Sequence, residues 1–292
     1  KKNKFIYCAD AGLGSYHIRS YNAMGGRAFI VTQSIKKLSD KLKEAVFNDF
    51  EYKLLSDETP VSIEAMKQFD KADPKNLALY RDTAYKVIDA DTLMDVGLSE
   101  EKVFANGKKR NVKSKAVLKQ HVIITFSRKS FEYQRFIRNR QIERAKKILE
   151  NLELDEYKKG PNDVTRFIKK ASDSKVQYEI DYEKIAEEEK YDGFYAIATN
   201  LNDEVKEILA INAQRYKIEE CFRILKNDFI SRPYFHRTRK RIIAHFMICY
   251  TALLIYRLLE VKLNRYDKNQ HFTTRNIIET LQNMEVANIG DL

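Results

Sequence analysis

Residues 5–32 read FIYCADAGLGSYHIRSYNAMGGRAFIVT. Phe5 to Ala9 is a short, continuous apolar run, the pattern of a strand buried on both faces. Asp10 follows it directly, and Gly12 and Gly14 mark a loop. Ser15 to Met24 reads as a short helix, Gly25-Gly26 as a turn, and Ala28 to Thr32 as a second apolar strand. A strand, a helical crossover and another strand form the unit from which parallel sheets are built. Ser34 to Phe47 continues as an amphipathic helix.

Outward from this unit the pattern loosens between about residues 50 and 190. Strands are expected at Tyr85 to Ile88 and His121 to Phe126, and a long basic helix at about Phe131 to Leu152. Lys102 to Ile148 holds 15 Lys/Arg against 2 Asp/Glu. Gly193 to Thr199, GFYAIAT, is again strand-like. Asn200, Asn202 and Asp203 supply helix caps, with Asp203 and Glu204 suited to the positive end of the helix dipole. One long helix is expected from about Asp203 to Phe229, ended by Pro233. Others are expected over about Arg241 to Leu263 and Thr274 to Met284. The chain thus divides into 1–50, the first part of an α/β core; 51–190, a mixed β/α insertion; and 191–292, the last strand, a long helix and C-terminal helices. No internal repeat or low-complexity tract occurs.

Composition limits the function classes. An apolar fraction of 43% excludes wholesale disorder. A net charge of +11 favours a polyanionic partner, either nucleic acid or an anionic membrane surface. The three cysteines, Cys8, Cys221 and Cys249, are far apart and include no CxxC pair, which argues against a disulfide framework or zinc ribbon. No signal peptide opens the chain, and a cytoplasmic location is expected. The apolar run Ile242 to Tyr256 is shorter than the about 20 residues of a membrane span, so a buried core helix is expected there. The chain opens on Lys1 rather than methionine and reaches strand-like residues by Phe5, so it is expected to be part of a longer one.

Two carboxylates draw attention. At about 100° per residue, Arg215, Arg223 and Lys226 lie within about 40° of Glu219 on one helical stripe. Ile211, Ile218, Phe222 and Leu225 form a separate apolar stripe able to pack on a sheet. A single acid among cations suits a metal–phosphate site, but an ordinary Glu219–Arg223 surface pair fits the same spacing. Asp10, just past a strand end, occupies the position where open α/β sheets bind ligands; it could equally cap the following loop. His17, His121, His236, His245 and His271 show no metal-ligand spacing, and His245 reads as a core histidine. Gly12 and Gly14 do not make a phosphate loop.

The segment RYKIEECFRILK, residues 215–226, resembles the Tyr-Arg-Glu-Lys signature of insertion-sequence DDE transposases. Arg215, Glu219 and Lys226 match it, whereas Asn212 stands where the signature has tyrosine. SRPYFHRTRKRIIAHFMICYTALLIYRLLE resembles the C-terminal helices of that family, YCADAGLGSYHIRSYNAMGGRAFIVTQS the segment around its second catalytic aspartate, and KYDGFYAIATN the strand before its glutamate helix. The resemblance implies an RNase H-like core with Asp10 and Glu219 as catalytic, metal-binding acids. It implies two Mg²⁺ or Mn²⁺ ions serving strand cleavage and strand transfer, with Arg215, Arg223 and Lys226 on DNA phosphates. It also implies an insertion that contacts transposon-end DNA, and a homodimer on DNA in the nucleoid-bearing cytoplasm. The family's first aspartate has no match here. Asp192 is a poor substitute, since it precedes its strand and Asp-Gly reads as a turn. A truncated remnant that binds DNA and inhibits the intact enzyme is the alternative.

Overall fold

The structure, a computed structural model, describes residues 5–70, 72–103, 107, 109–150, 163–170, 178–229, 231, 233, 235–266 and 272–285. His271, Arg232 and the expected end of the basic helix at Leu152 lie outside these residues. The chain forms two compact units, Lys1–Asn212 and Ala213–Leu292.

The first unit is a mixed α/β structure. Its strands are β1 (Phe5–Ala9), β2 (Arg27–Thr32), β3 (Lys53–Leu54), β4 (Ala84–Val103), β5 (Lys109–Phe126), β6 (Ile168–Lys170), β7 (Tyr178–Ile180) and β8 (Phe194–Thr199). Its helices are α1 (Tyr16–Asn22), α2 (Asp40–Phe47), α3 (Ile63–Gln68), α4 (Leu77–Arg81), α5 (Arg128–Glu150), α6 (Tyr182–Glu189) and α7 (Val205–Ala213). Six strands form one mixed sheet in the order β1-β2-β8-β5-β4-β3. The expected parallel unit is present, with Phe5 opposite Arg27 and Ala9 opposite Val31. The remaining pairings are antiparallel.

Strand alternation sorts the sheet into two covered faces. Ala28 and Ile30 of β2, Ile123 of β5 and Ile197 of β8 pack with Ile208 of α7. Phe29 and Val31 point the other way, with Ala9 and Ala198, toward Tyr16 and Ala23 around α1. Further along that second face, Val122, Ile124, Phe126 and Ala196 meet residues around α2, α3 and α5.

Several expectations need correction. β1 is the sheet's edge, not a doubly buried strand: only Ala9 is buried, and Phe5 is 55% exposed. Among the described residues, β2 is its one strand neighbour. The helix expected over Ser34–Phe47 is two pieces, a 3₁₀ turn at Ile35–Lys37 and then α2. Extended backbone at Leu38 and Ser39 separates them and keeps both Ile35 and Leu38 in the core. β4 and β5 extend far beyond the expected strands, into an arm where most β5 side chains are exposed or half-buried. Along β5 of that arm exposed Lys113, Lys115 and Val117 alternate with half-buried Val112, Ser114 and Ala116, a face with too few apolar residues to mark a strand in the sequence. Residues 53–54, 84–103 and 109–126 share one sheet with β1, β2 and β8.

The second unit contains α8 (Tyr216–Arg223), a π-helical turn at Ile224–Asp228, α9 (Arg239–Tyr266) and α10 (Thr274–Asn283). Its core is Ile224, Leu253, Tyr256 and Ile277. α9 is not the buried core helix expected. By length and composition it could cross a membrane, with a mean hydropathy of 1.8 over 18 residues, of which 17% are buried. Cys249, Leu253 and Tyr256 are buried, while Met247, Ile248, Ile255 and Leu258 are exposed.

Candidate functional site

Asp10 stands at the end of β1, where the chain enters a 3₁₀ turn at Ala11–Leu13. Its Oδ1 accepts a hydrogen bond from the Leu13 backbone N–H at 3.1 Å. The loop-capping role left open from sequence is therefore present. Oδ2 has no partner among the described residues, and the side chain is exposed. One oxygen anchors the carboxylate and the other is available to a ligand.

The loop bearing Asp10 is tied down by a residue that sequence reading missed. Arg19 of α1 is 3% exposed. Its guanidinium donates to the Gly14 carbonyl at 2.9 Å, to Gln120 Oε1 at 3.0 Å and to Gln33 Oε1 at 3.0 Å. These bonds join the loop to β5 and to the end of β2. Burial, with only neutral oxygens as partners, pushes the Arg19 pKa down to about 10, so it keeps its charge at neutral pH. A Cβ on Gly14 would come within 2.5 Å of Val31 Cγ1, so the loop approaches the sheet where only glycine fits. From the sequence, α1 reads only as a short helix. Nothing in it marks Arg19 as buried.

Arg215, Glu219, Arg223 and Lys226 belong to the second unit. The long helix expected over Asp203–Phe229 is interrupted. α7 ends at Ala213, a turn occupies Gln214 and Arg215, and α8 begins at Tyr216. Beyond Arg223 the helix widens, with the Phe229 N–H bonded to the Ile224 carbonyl at 2.9 Å. The uniform 100° stripe therefore does not hold from Arg215 to Lys226, because a π turn rotates less per residue. π turns within helices often accompany functional sites. The apolar stripe is split as well. Ile211 packs with the sheet cluster and Leu225 in the second unit's core, while Ile218 and Phe222 are exposed.

Glu219 lies in the first turn of α8, exposed and without an ion pair among the described residues. The Glu219–Arg223 pair allowed by spacing does not form. Arg223 instead approaches Asp228 at 3.6 Å and Glu220 at 3.9 Å. Lys226 is exposed on the π turn. Arg257 of α9, also unmarked by sequence, clamps this segment. It bonds Glu260 at 2.5 Å, Glu220 at 2.9 Å and the Lys217 carbonyl at 3.4 Å. Burial opposes the Arg257 charge, but the bonds to Glu260 and Glu220 outweigh it and raise the pKa.

No family model matches the chain, and no curated protein or solved structure does.

Two residues noted in the sequence have structural partners. His245 Nε2 lies 3.2 Å from the Ser231 carbonyl and 3.8 Å from Cys249 Sγ. Asp192 is 4% exposed, and both its oxygens accept from Arg138, at 2.6 and 2.5 Å. Both oxygens are thus held by the guanidinium. Among the described residues no group of three His, Cys, Asp or Glu side chains is gathered closely enough to hold a metal ion.

Proposed function

We propose that this chain acts as an insertion-sequence DDE transposase, with an RNase H-like core, in metal-dependent DNA strand cleavage and strand transfer. The observation that carries this reading is the unpaired, exposed Glu219 at the head of α8, spaced from Arg215 and Lys226 as in the transposase signature. Asp10, at the end of a strand in a parallel pair and with one oxygen open, is the second acid.

Asp10 and Glu219 are each accessible carboxylates, the donor chemistry that hard cations such as Mg²⁺ or Mn²⁺ prefer. The ion would supply Lewis-acid activation of water or a 3′-hydroxyl at a phosphodiester. The protein's own part is to hold Asp10 on the loop braced by Arg19 and to present Glu219 on the helix clamped by Arg257. Arg215, Arg223 and Lys226 would take DNA phosphates. The working state would be a homodimer on DNA in the nucleoid-bearing cytoplasm, with no membrane involved.

A second reading is a non-catalytic DNA-binding protein that inhibits an intact transposase, since no residue here matches the family's first aspartate. One experiment separates the two. The purified chain is incubated with Mg²⁺ or Mn²⁺ and a plasmid carrying the parental element's ends. Salt-sensitive binding with metal-dependent nicking is the outcome of the first reading, and salt-sensitive binding without nicking is that of the second. Nicking that Glu219→Ala abolishes would mean that another acid within these residues completes the site. No binding to DNA even at low salt would defeat both readings.

A further inference from the structure

The basic segment singled out in the sequence divides into two parts of unlike character. On the β4–β5 arm, register sets Lys115 opposite Asp95 and Lys119 opposite Asp91, and Lys109 reaches Glu101 at 3.3 Å. The arm's cations are thus interspersed with acids in the strand register. Helix α5 differs. Phe131, Arg138 and Ala145 are buried on one side. At about 100° per residue, Lys129, Tyr133, Phe136, Arg140, Arg144 and Lys147 fall within about 80° on the opposite side, over about 27 Å of helix. All six are exposed.

Among the described residues none of these four cations is in an ion pair. Two acids of the same helix, Glu132 and Glu143, are engaged by Arg128 at 3.0 Å and Lys146 at 2.9 Å. Tyr133 is 64% exposed and Phe136 57% exposed, and the Arg140 guanidinium lies 5.7 Å from the centre of the Phe136 ring. Large aromatic rings held in water beside unpaired cations are unfavourable in isolation. They suit a partner that offers both negative charge and flat apolar faces. A nucleic-acid strand with unstacked bases offers both, because bases stack on aromatic side chains while phosphates meet Arg and Lys.

We infer that this outer face of α5 binds a DNA segment containing unpaired bases, with phosphates on Arg140, Arg144 and Lys147 and a base on Tyr133 or Phe136. The inference rests on the DNA-binding reading above and adds the surface and the form of DNA. It is tested by fluorescence anisotropy with the full chain, using a labelled 30-base-pair duplex and the same duplex carrying a five-nucleotide single-stranded overhang. Arg140→Gln/Arg144→Gln should weaken both DNAs and reduce the slope of log affinity against log salt by about 1.5–2. Tyr133→Leu/Phe136→Leu should weaken only the overhang DNA, by about tenfold. Lys146→Gln, off the stripe and paired with Glu143, should change neither. All these side chains are exposed, and circular dichroism checks that each variant folds. Wild-type binding that the stripe variants leave intact would overturn this inference alone. Absence of any DNA binding would overturn the underlying reading with it. Displacement of DNA by poly-glutamate at matched charge would overturn it in favour of an acidic protein partner.

Discussion

Replacing Asp192 with asparagine should destabilise the first unit strongly while leaving any metal site untouched. Asp192 and Arg138 have side chains that are each 6% exposed, with both carboxylate oxygens on the guanidinium. Asp192→Asn removes the charge but keeps the shape, leaving Arg138 with Glu189 at 3.3 Å as its one remaining carboxylate. Breaking a buried pair by removing one partner costs about 3–5 kcal/mol, because the other charge stays buried and under-compensated. Glu189 is partly exposed and still bonded, so the low end, about 3 kcal/mol, applies. At about 2–4 °C per kcal/mol for a unit of this size, Tm should fall by about 6–12 °C. The double variant Arg138→Met/Asp192→Leu should recover most of that, since well-packed apolar replacements of buried pairs are often neutral. Thermal melts followed by circular dichroism provide the assay. An Asp192→Asn protein melting within about 2 °C of wild type, or a double variant no better than the single, would refute this account.

Three further outcomes follow from local geometry. Gly193 has φ +80°, and a Cβ there would meet the Phe126 ring at 2.5 Å and Phe131 Cβ at 2.8 Å. Gly193→Ala should therefore cost about 2–4 kcal/mol, as left-handed strain plus overpacking, read as a lower urea midpoint with an unchanged slope. Arg19→Met should cost about 2 kcal/mol by orphaning Gln33, Gln120 and the Gly14 carbonyl, and should speed amide exchange in residues 10–14. Exchange there matching wild type would show that the loop does not depend on Arg19. Glu219→Gln should leave stability within about 0.5 kcal/mol, as expected for an exposed side chain. Mn²⁺ binding followed by electron paramagnetic resonance should then weaken for Glu219→Gln and Asp10→Asn alike if the two acids share an ion. Loss with one variant only would separate them.

The sequence by itself determined the local framework. Continuous apolar runs at Phe5–Ala9, Ala28–Thr32 and Phe194–Thr199 give the strands, and glycine pairs and cap residues place the turns between elements. The parallel pairing of β1 with β2 follows from the helix between them. Asp10 at a strand end and Glu219 on a helix were legible because each sits at a boundary or spacing that local chemistry fixes. The tertiary structure alone decided which apolar runs are covered. The FIYCA strand and the α9 segment have the same composition as buried elements, yet lie at an edge and largely exposed, because burial depends on which neighbours pack against a segment. Nor could the sequence distinguish Arg138, buried against Asp192, or Arg19, buried under the Asp10 loop, from the exposed arginines of α5. Their side chains are chemically identical, and only long-range contacts, 54 residues apart for Arg138–Asp192 and 101 for Arg19–Gln120, decide which charges are structural and which remain free for a partner.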